Sequence, residues 1–188
     1  MYPGKIHTIV ASGLLFASLN AYASEPMISY YDVSGRSEKD LRRNLNELRP
    51  HDSAGKRHDA LTKSRIGISY KYAPTSTGCK FTEFSPTLET SILMPRWAAS
   101  DPSTKIGRKW QSYYSALYDH ELGHHNIYVK ALSELADLGK TFETGSKCIA
   151  IGEEFKIIYS DLLEKYRALN KQYDLDTNHG MKYGAVFP

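Results

Sequence analysis

Apolar residues recur three and four positions apart in three stretches of the chain and alternate with polar ones in others. Leu41, Leu45 and Leu48 form the first helical stripe, with Ser37 placed as an N-cap and Pro50 as the stop, so a short helix is expected over 37–49. Tyr113, Leu117, Ile127, Ala131, Leu135 and Leu138 fit one long helix over 109–138. After a glycine-containing break at 139–147, Phe155, Ile158, Leu162 and Leu169 fit a second over 148–171. Ile66, Ile68, Tyr70 and Tyr72 have the two-residue period of a half-buried strand. The turn-forming run 73–78 then leads into a strand over 79–84, a further strand over 88–94 stops at Pro95, and 26–33 reads as a strand running into Ser34-Gly35. Segment 51–63 reads as a loop or short helix, and 96–107 and 173–188 as loop and polar tail. The pattern predicts an α+β fold: an N-terminal antiparallel sheet with a short helix, packed on two long C-terminal helices, in a single domain over 24–188.

The first residues change this picture. Lys5 precedes a mostly apolar run from Thr8 to Leu19, and Ala21-Tyr22-Ala23 has the small-x-small form of a signal-peptidase site, so residues 1–23 are expected to be a signal peptide cut after Ala23. The apolar run is too short to span a bilayer, which needs about 20 residues, and no later segment is apolar enough, so no stable membrane insertion is expected. Export to the periplasm or beyond makes a disulfide the natural reading of the only two cysteines, Cys79 and Cys148. With 24 basic and 21 acidic side chains in 188 residues, the net charge of +3 is small and evenly spread, and it gives no reason to expect nucleic acid.

The long helix over 109–138 has a gap in its apolar stripe between Leu117 and Ile127. The gap holds Asp119-His120-Glu121 and His124-His125, so the inward face turns polar at that point, and buried polar groups need partners. His120-Glu121-Leu122-Gly123-His124 is H-E-x-x-H. Residues four apart lie about 40° apart around a helix, so both imidazoles can meet one Zn²⁺, with Glu121 beside them as a general base toward a water activated by the metal. His125 points about 100° away from His124 and is not expected to share the ion.

The third ligand is open at this level. The longer pattern with a Gly and a third His fails, because Ile127 and Lys130 stand at those positions. Glu143 lies near the spacing of a two-His, one-Glu site but in the expected loop, Glu153 and Glu154 lie on the second helix, and His179, followed by Gly180 in the tail, could fold back with Asp174 or Asp176 bracing a ligand imidazole.

Tyr30-Tyr31-Asp32-Val33-Ser34-Gly35, Pro95-Arg96-Trp97, the His120–His124 motif, Cys148 and the terminal Tyr173-Asp174-x-x-Thr177-x-His179-Gly180 together resemble the bacterial family catalogued as domain of unknown function 922. The resemblance spans nearly the whole chain after residue 23. It implies a secreted zinc-dependent protease and favours His179 as the third ligand with His120 and His124. The leading expectation is therefore an exported, zincin-like metallopeptidase acting on a peptide or protein, with Glu121 catalytic. Tyr173, Tyr183 or Arg96 would donate to the developing oxyanion, and Asp174 would brace a ligand. The rival is a non-catalytic zinc-binding envelope protein acting in binding or assembly. A third reading has the histidines never meeting metal.

Overall fold

The computed structural model describes residues 22–187. The expected signal peptide lies outside these residues except for its end, where the cleavage point after Ala23 closes the two-residue strand β1 (Tyr22–Ala23). Strand β2 (Met27–Val33) leads to helix α1 (Glu38–Leu48), whose N-cap Ser37 accepts a hydrogen bond from the Asp40 backbone N–H. A hairpin of two long strands follows, β3 (Leu61–Pro74) and β4 (Cys79–Trp97). Helix α2 (Lys105–Thr141), the short strand β5 (Glu143–Thr144) and helix α3 (Ile151–Thr177) complete the chain. Among the described residues no helix is long and apolar enough to cross a membrane.

The fold is mixed α+β with two long C-terminal helices, as the periodicity predicts, but the sheet is not antiparallel throughout. β3 and β5 run antiparallel to β4, whereas β1 and β2 run parallel to it, from Tyr22 opposite Thr87 to Val33 opposite Trp97. Side-chain alternation reports which face a residue occupies and carries no information on strand direction. Since β3 takes one side of β4 by the hairpin, β2 takes the other.

β4 is one strand where two were expected. Pro95, taken as a stop, and Pro86 both sit where β4 is paired on one side only. Pro86 lies opposite Ile68 of β3, before pairing with β1 begins at Thr87; Pro95 lies opposite Tyr31 of β2, after pairing with β3 ends at Leu93. A proline with its nitrogen toward an unpaired side removes no ladder hydrogen bond.

α2 packs across the sheet between two apolar clusters. Leu41, Leu45, Ile92, Met94, Trp110, Tyr113, Leu117 and Phe187 form one, around its N-terminal half. Phe81, Phe84, Leu88, Leu132, Leu135, Phe155 and Leu162 form the other, around its C-terminal half. Cys79 and Cys148 are disulfide-bonded and tie the start of β4 to the turn before α3, closing a separation of 69 residues. A cross-link of this span is worth about 4 kcal/mol by loop-closure entropy.

α3 is longer than the sequence pattern predicts, continuing through Tyr173 and Asp174 to Thr177. Its stop is a left-handed turn: Asn178 and His179 have φ of 50° and 52°, Gly180 has φ of 78°, and the His179 backbone N–H returns to the Asp174 carbonyl at 2.8 Å. That turn brings the tail back against α2.

Candidate metal centre

Between the two apolar clusters, α2 buries His120, Glu121, His124 and His125, each with no more than 7% of its surface exposed. Four polar side chains in one helical stretch are costly to bury unless each is partnered. The partners of His120 and His124 come from α3, whose buried stripe of Leu162 and Tyr166 continues at helical spacing through Asn170, Tyr173, Asp174 and Thr177.

His124 donates from Nδ1 to Asn170 Oδ1 at 2.8 Å, so in the neutral ring its Nε2 lone pair faces the centre. His120 presents Nδ1 to Thr177 Oγ1 at 3.5 Å, a hydroxyl whose own proton goes to the Tyr173 carbonyl at 2.7 Å, and this orients His120 Nε2 the same way. The Tyr173 ring stacks on His120 with centroids 5.0 Å apart and lies edge-on to His124.

Two glycines make these approaches possible. A Cβ on Gly123 would fall 2.2 Å from the Tyr173 hydroxyl oxygen, and one on Gly180 would fall 2.9 Å from His120 Cγ. Gly180 also has the positive φ that other residues resist.

The convergence point is a triangle. His120 Nε2 and His124 Nε2 are 3.2 Å apart, and Asp174 Oδ1 lies 3.2 Å from the first and 3.3 Å from the second. Ligands at 2.0 to 2.1 Å from a tetrahedral Zn²⁺ are separated by about 3.3 Å, so the three atoms already have the dimensions of one face of that tetrahedron. Among the described residues, His120, His124 and Asp174 are the group whose ligand atoms lie within 4.8 Å of one another and could hold a metal ion.

Without an ion the triangle is a hydrogen-bonded charge cluster. Burial raises the Asp174 carboxyl, but hydrogen bonds from His120 and His124 and the nearby histidine charges outweigh it and hold the group far below the usual carboxylate range. Burial lowers the His124 imidazole, yet Asp174, Glu121 and Asn170 together carry it above its ordinary value.

The expected third ligand, His179, sits on the flank of Asp174 instead of completing the triangle. Its Nδ1 is 3.2 Å from Asp174 Oδ1, its Nε2 is 3.0 Å from Lys56 Nζ, and 37% of its side chain is exposed. Nitrogens of three imidazoles, His120, His124 and His179, thus approach the same Asp174 oxygen. Neither alternative glutamate reaches the site: Glu143 lies in β5 against Thr75, and Glu153 pairs with Lys156 in the first turn of α3, roughly 30 Å along the helix from Asp174. Glu154 hydrogen-bonds Thr144.

Glu121 does face the site. Its Oε2 accepts a hydrogen bond of 2.6 Å from Thr62 Oγ1 at the start of β3, and the carboxylate lines the same cavity of about 360 Å³ as His120, His124, Asp174 and His179. His125 turns the other way, to Thr90 Oγ1 on β4 at 3.0 Å, and burial lowers its pKa despite Glu25.

Of the expected oxyanion donors, none lines the cavity. Arg96 is bound to Asp32 at 2.6 Å on the exposed face of β4, Tyr183 is largely exposed, and the Tyr173 hydroxyl is pressed against Gly123. The residues that do line it, and that the sequence pattern hid, come from the segment read as a polar loop: Lys56, Arg57, His58, Asp59 and Thr62.

No curated protein and no solved structure matches the chain. A family model does, over residues 28–180, a span that opens in β2, contains the whole of α2 and α3 and ends on the glycine packed against His120. Since that match takes in most of the chain, the protein belongs to the family described as bacterial protein of unknown function (DUF922).

Proposed function

We propose that the chain is an exported zinc-dependent metallopeptidase whose domain begins after residue 23. The observation that carries this reading is the triangle of His120 Nε2, His124 Nε2 and Asp174 Oδ1, with edges of 3.2 to 3.3 Å, set beside the Glu121 carboxylate in one cavity. Two imidazoles and one carboxylate are a donor set suited to Zn²⁺, leaving a fourth position for chemistry. A zinc ion held there would supply Lewis acidity toward a peptide carbonyl.

The chain's own residues supply the rest. Asn170 and Thr177 fix the ring orientations of His124 and His120, and His179 braces Asp174 at the same Oδ1 that the two rings approach. Thr62 donates to one oxygen of Glu121 and so holds the carboxylate where it can take a proton from water and return it to the leaving amine. The disulfide fits the oxidising compartment that the leader predicts.

The test uses the purified full chain with about one Zn²⁺ bound. Glu121→Gln should abolish peptide hydrolysis while the zinc content stays unchanged. Zinc binding with no hydrolysis by the wild-type chain would transfer the protein to the non-catalytic reading. That reading draws on His179, because a swing of its imidazole to the fourth position would close the site. Protein that holds no metal after purification would leave neither.

A further inference from the structure

One wall of the cavity is basic without an equal number of carboxylates to neutralise it. Arg42 lies on α1, Arg49 is its C-cap, and Lys56 and Arg57 lie in the connection to β3, all lining the cavity that also holds Glu121 and Asp174. Asp59 is the carboxylate that Arg42 and Arg49 share, at 3.0 and 2.7 Å. Its Oδ2 also accepts from the Tyr113 hydroxyl at 2.8 Å. One negative charge therefore faces two guanidiniums.

Arg49 is held in a particular way. Its Nε lies 2.7 Å from Asp59 Oδ1 but out of alignment for a hydrogen bond, so this buried N–H lacks an acceptor, as does Arg42 Nε. The two terminal nitrogens of Arg49 make no hydrogen bond to another described residue, and the side chain keeps 29% of its surface exposed. A guanidinium pinned at one end and open at the other suits a bidentate grip on a carboxylate.

The neighbouring Lys56 and Arg57 have no carboxylate partner among the described residues. Lys56 Nζ lies 3.0 Å from His179 Nε2, and Arg57 is bound to His51 Nε2 and the Asn46 carbonyl. Asp52, the other acid on this wall, is occupied by His58 and by the backbone N–H groups of Ala54 and Lys56. Cations in excess of carboxylates along a cleft raise the local concentration of anions and select for them.

The distance to the chemistry follows from the strand. Asp59, which anchors Arg49, precedes Thr62 by three residues, and Thr62 touches Glu121, so the guanidinium stands on the order of 10 Å from the Glu121 carboxylate. That is a reach of two or three extended peptide units.

Resting on the peptidase reading for the identity of the site, we propose that Arg49, flanked by Lys56 and Arg57, binds a carboxylate of the substrate two or three residues from the scissile bond. Carboxylate-bearing peptides are then the preferred substrates. The group is either the peptide's own C-terminus or an Asp or Glu side chain.

Zinc-loaded Glu121→Gln protein, in which hydrolysis is stopped, allows binding to be measured by calorimetry. Four probes separate the sources: acetyl-tetraalanine with a free carboxylate, the same peptide as its amide, acetyl-Ala-Ala-Glu-Ala-amide, and its Gln counterpart. At least one carboxylate peptide should bind roughly tenfold or more tighter than its neutral partner, the size of one charge-assisted grip, and the preference should shrink as salt rises. Preference within the first pair identifies the C-terminus, and within the second pair the side chain.

Arg49→Met should erase the preference. Because it also disturbs Asp59, the more accessible pair Lys56→Met and Arg57→Met is tested beside it and should reduce the preference without changing the melting temperature. Equal binding of all four peptides, no binding of any, or a preference that survives both variants would overturn the proposal. Hydrolysis by the wild-type chain without carboxylate preference would remove this inference and leave the peptidase reading standing. Selective binding with no wild-type hydrolysis would do the reverse.

Discussion

Replacing Asp174 with Ala removes one corner of the triangle and leaves His120 Nε2 and His124 Nε2 3.2 Å apart, with nothing to balance them. Structural zinc sites bind with about 10 to 16 kcal/mol, so each of four ligands carries roughly 2.5 to 4 kcal/mol. Loss of Asp174 should therefore weaken zinc by a factor on the order of 10² to 10³ and match the loss in His124→Ala, which serves as the internal standard. His179 Nδ1 lies 3.2 Å from Asp174 Oδ1, and 37% of its side chain is exposed. Removing a residue that only orients a ligand costs about 10- to 100-fold, so His179→Ala should fall short of the other two. Competition against a chelating dye of known zinc affinity measures all three variants on one scale. If His179→Ala equals His124→Ala while Asp174→Ala retains zinc within tenfold of wild type, then the imidazole is the ligand, the carboxylate braces it, and the triangle has been misassigned.

Zinc should raise the melting temperature more at pH 8 than at pH 5.5, measured against chelator-treated protein. The raised His124 contributes stability to the metal-free chain below its ordinary pKa and loses it as pH rises through the folded value, while the depressed Asp174 stays ionised across this window. Binding to metal also requires the neutral imidazole, so both effects widen the gap with pH, and an equal shift at the two values would refute the assignment. Gly123→Ala should push Tyr173 off α2 and lower zinc affinity by at least about tenfold, because the added Cβ would meet both the hydroxyl oxygen and Cζ of Tyr173 within 2.5 Å; unchanged affinity would mean that α3 yields freely. Replacing Cys79 and Cys148 by Ser should cost about 2 to 5 kcal/mol in urea unfolding, and a loss below 1 kcal/mol would show that the denatured chain gains little freedom when the bridge goes.

The helices and the polar gap in α2 were legible because burial writes itself into the sequence with a period of 3.6. Leu117 and Ile127 bracket the gap, and the structure places one apolar cluster on each side of it. The sheet was legible only in part, since alternation gives the face of a strand and not its direction, and since Pro95 reads as a stop without knowledge of which side of β4 is paired. Asp174 was legible as a brace, but its place at the corner of the triangle escaped for a related reason. The inward-facing apolar stripe of α3 gives way to polar residues after Tyr166, and Leu175 further on is exposed. Asn170, Tyr173, Asp174 and Thr177 keep the spacing of Leu162 and Tyr166, and a polar stripe in register with an apolar one was the available signal. The basic wall had no such signal. Arg49, Lys56 and Arg57 look like any solvated segment until Asp59 and Thr62 fix that segment against α2.

The end of α3 links these features. A helix ending at Leu169 would leave His124 without Asn170, His120 without Thr177, and both without Asp174. Extending the helix by two turns supplies all three partners, and it then has to stop abruptly so that the tail can return over His120. Asn178, His179 and Gly180 accomplish this in consecutive left-handed conformations, which for the histidine costs of order 1 to 3 kcal/mol. The same turn sets His179 against Asp174 and Lys56, so the strained residue is the one that joins the triangle to the basic wall. Strain at that position is therefore intelligible as the cost of orienting Asp174. His179→Gly should raise stability in chelated protein while weakening zinc, whereas His179→Ala should weaken zinc without the gain. Equal stability of the two variants, compared by urea unfolding, would remove backbone strain from the account.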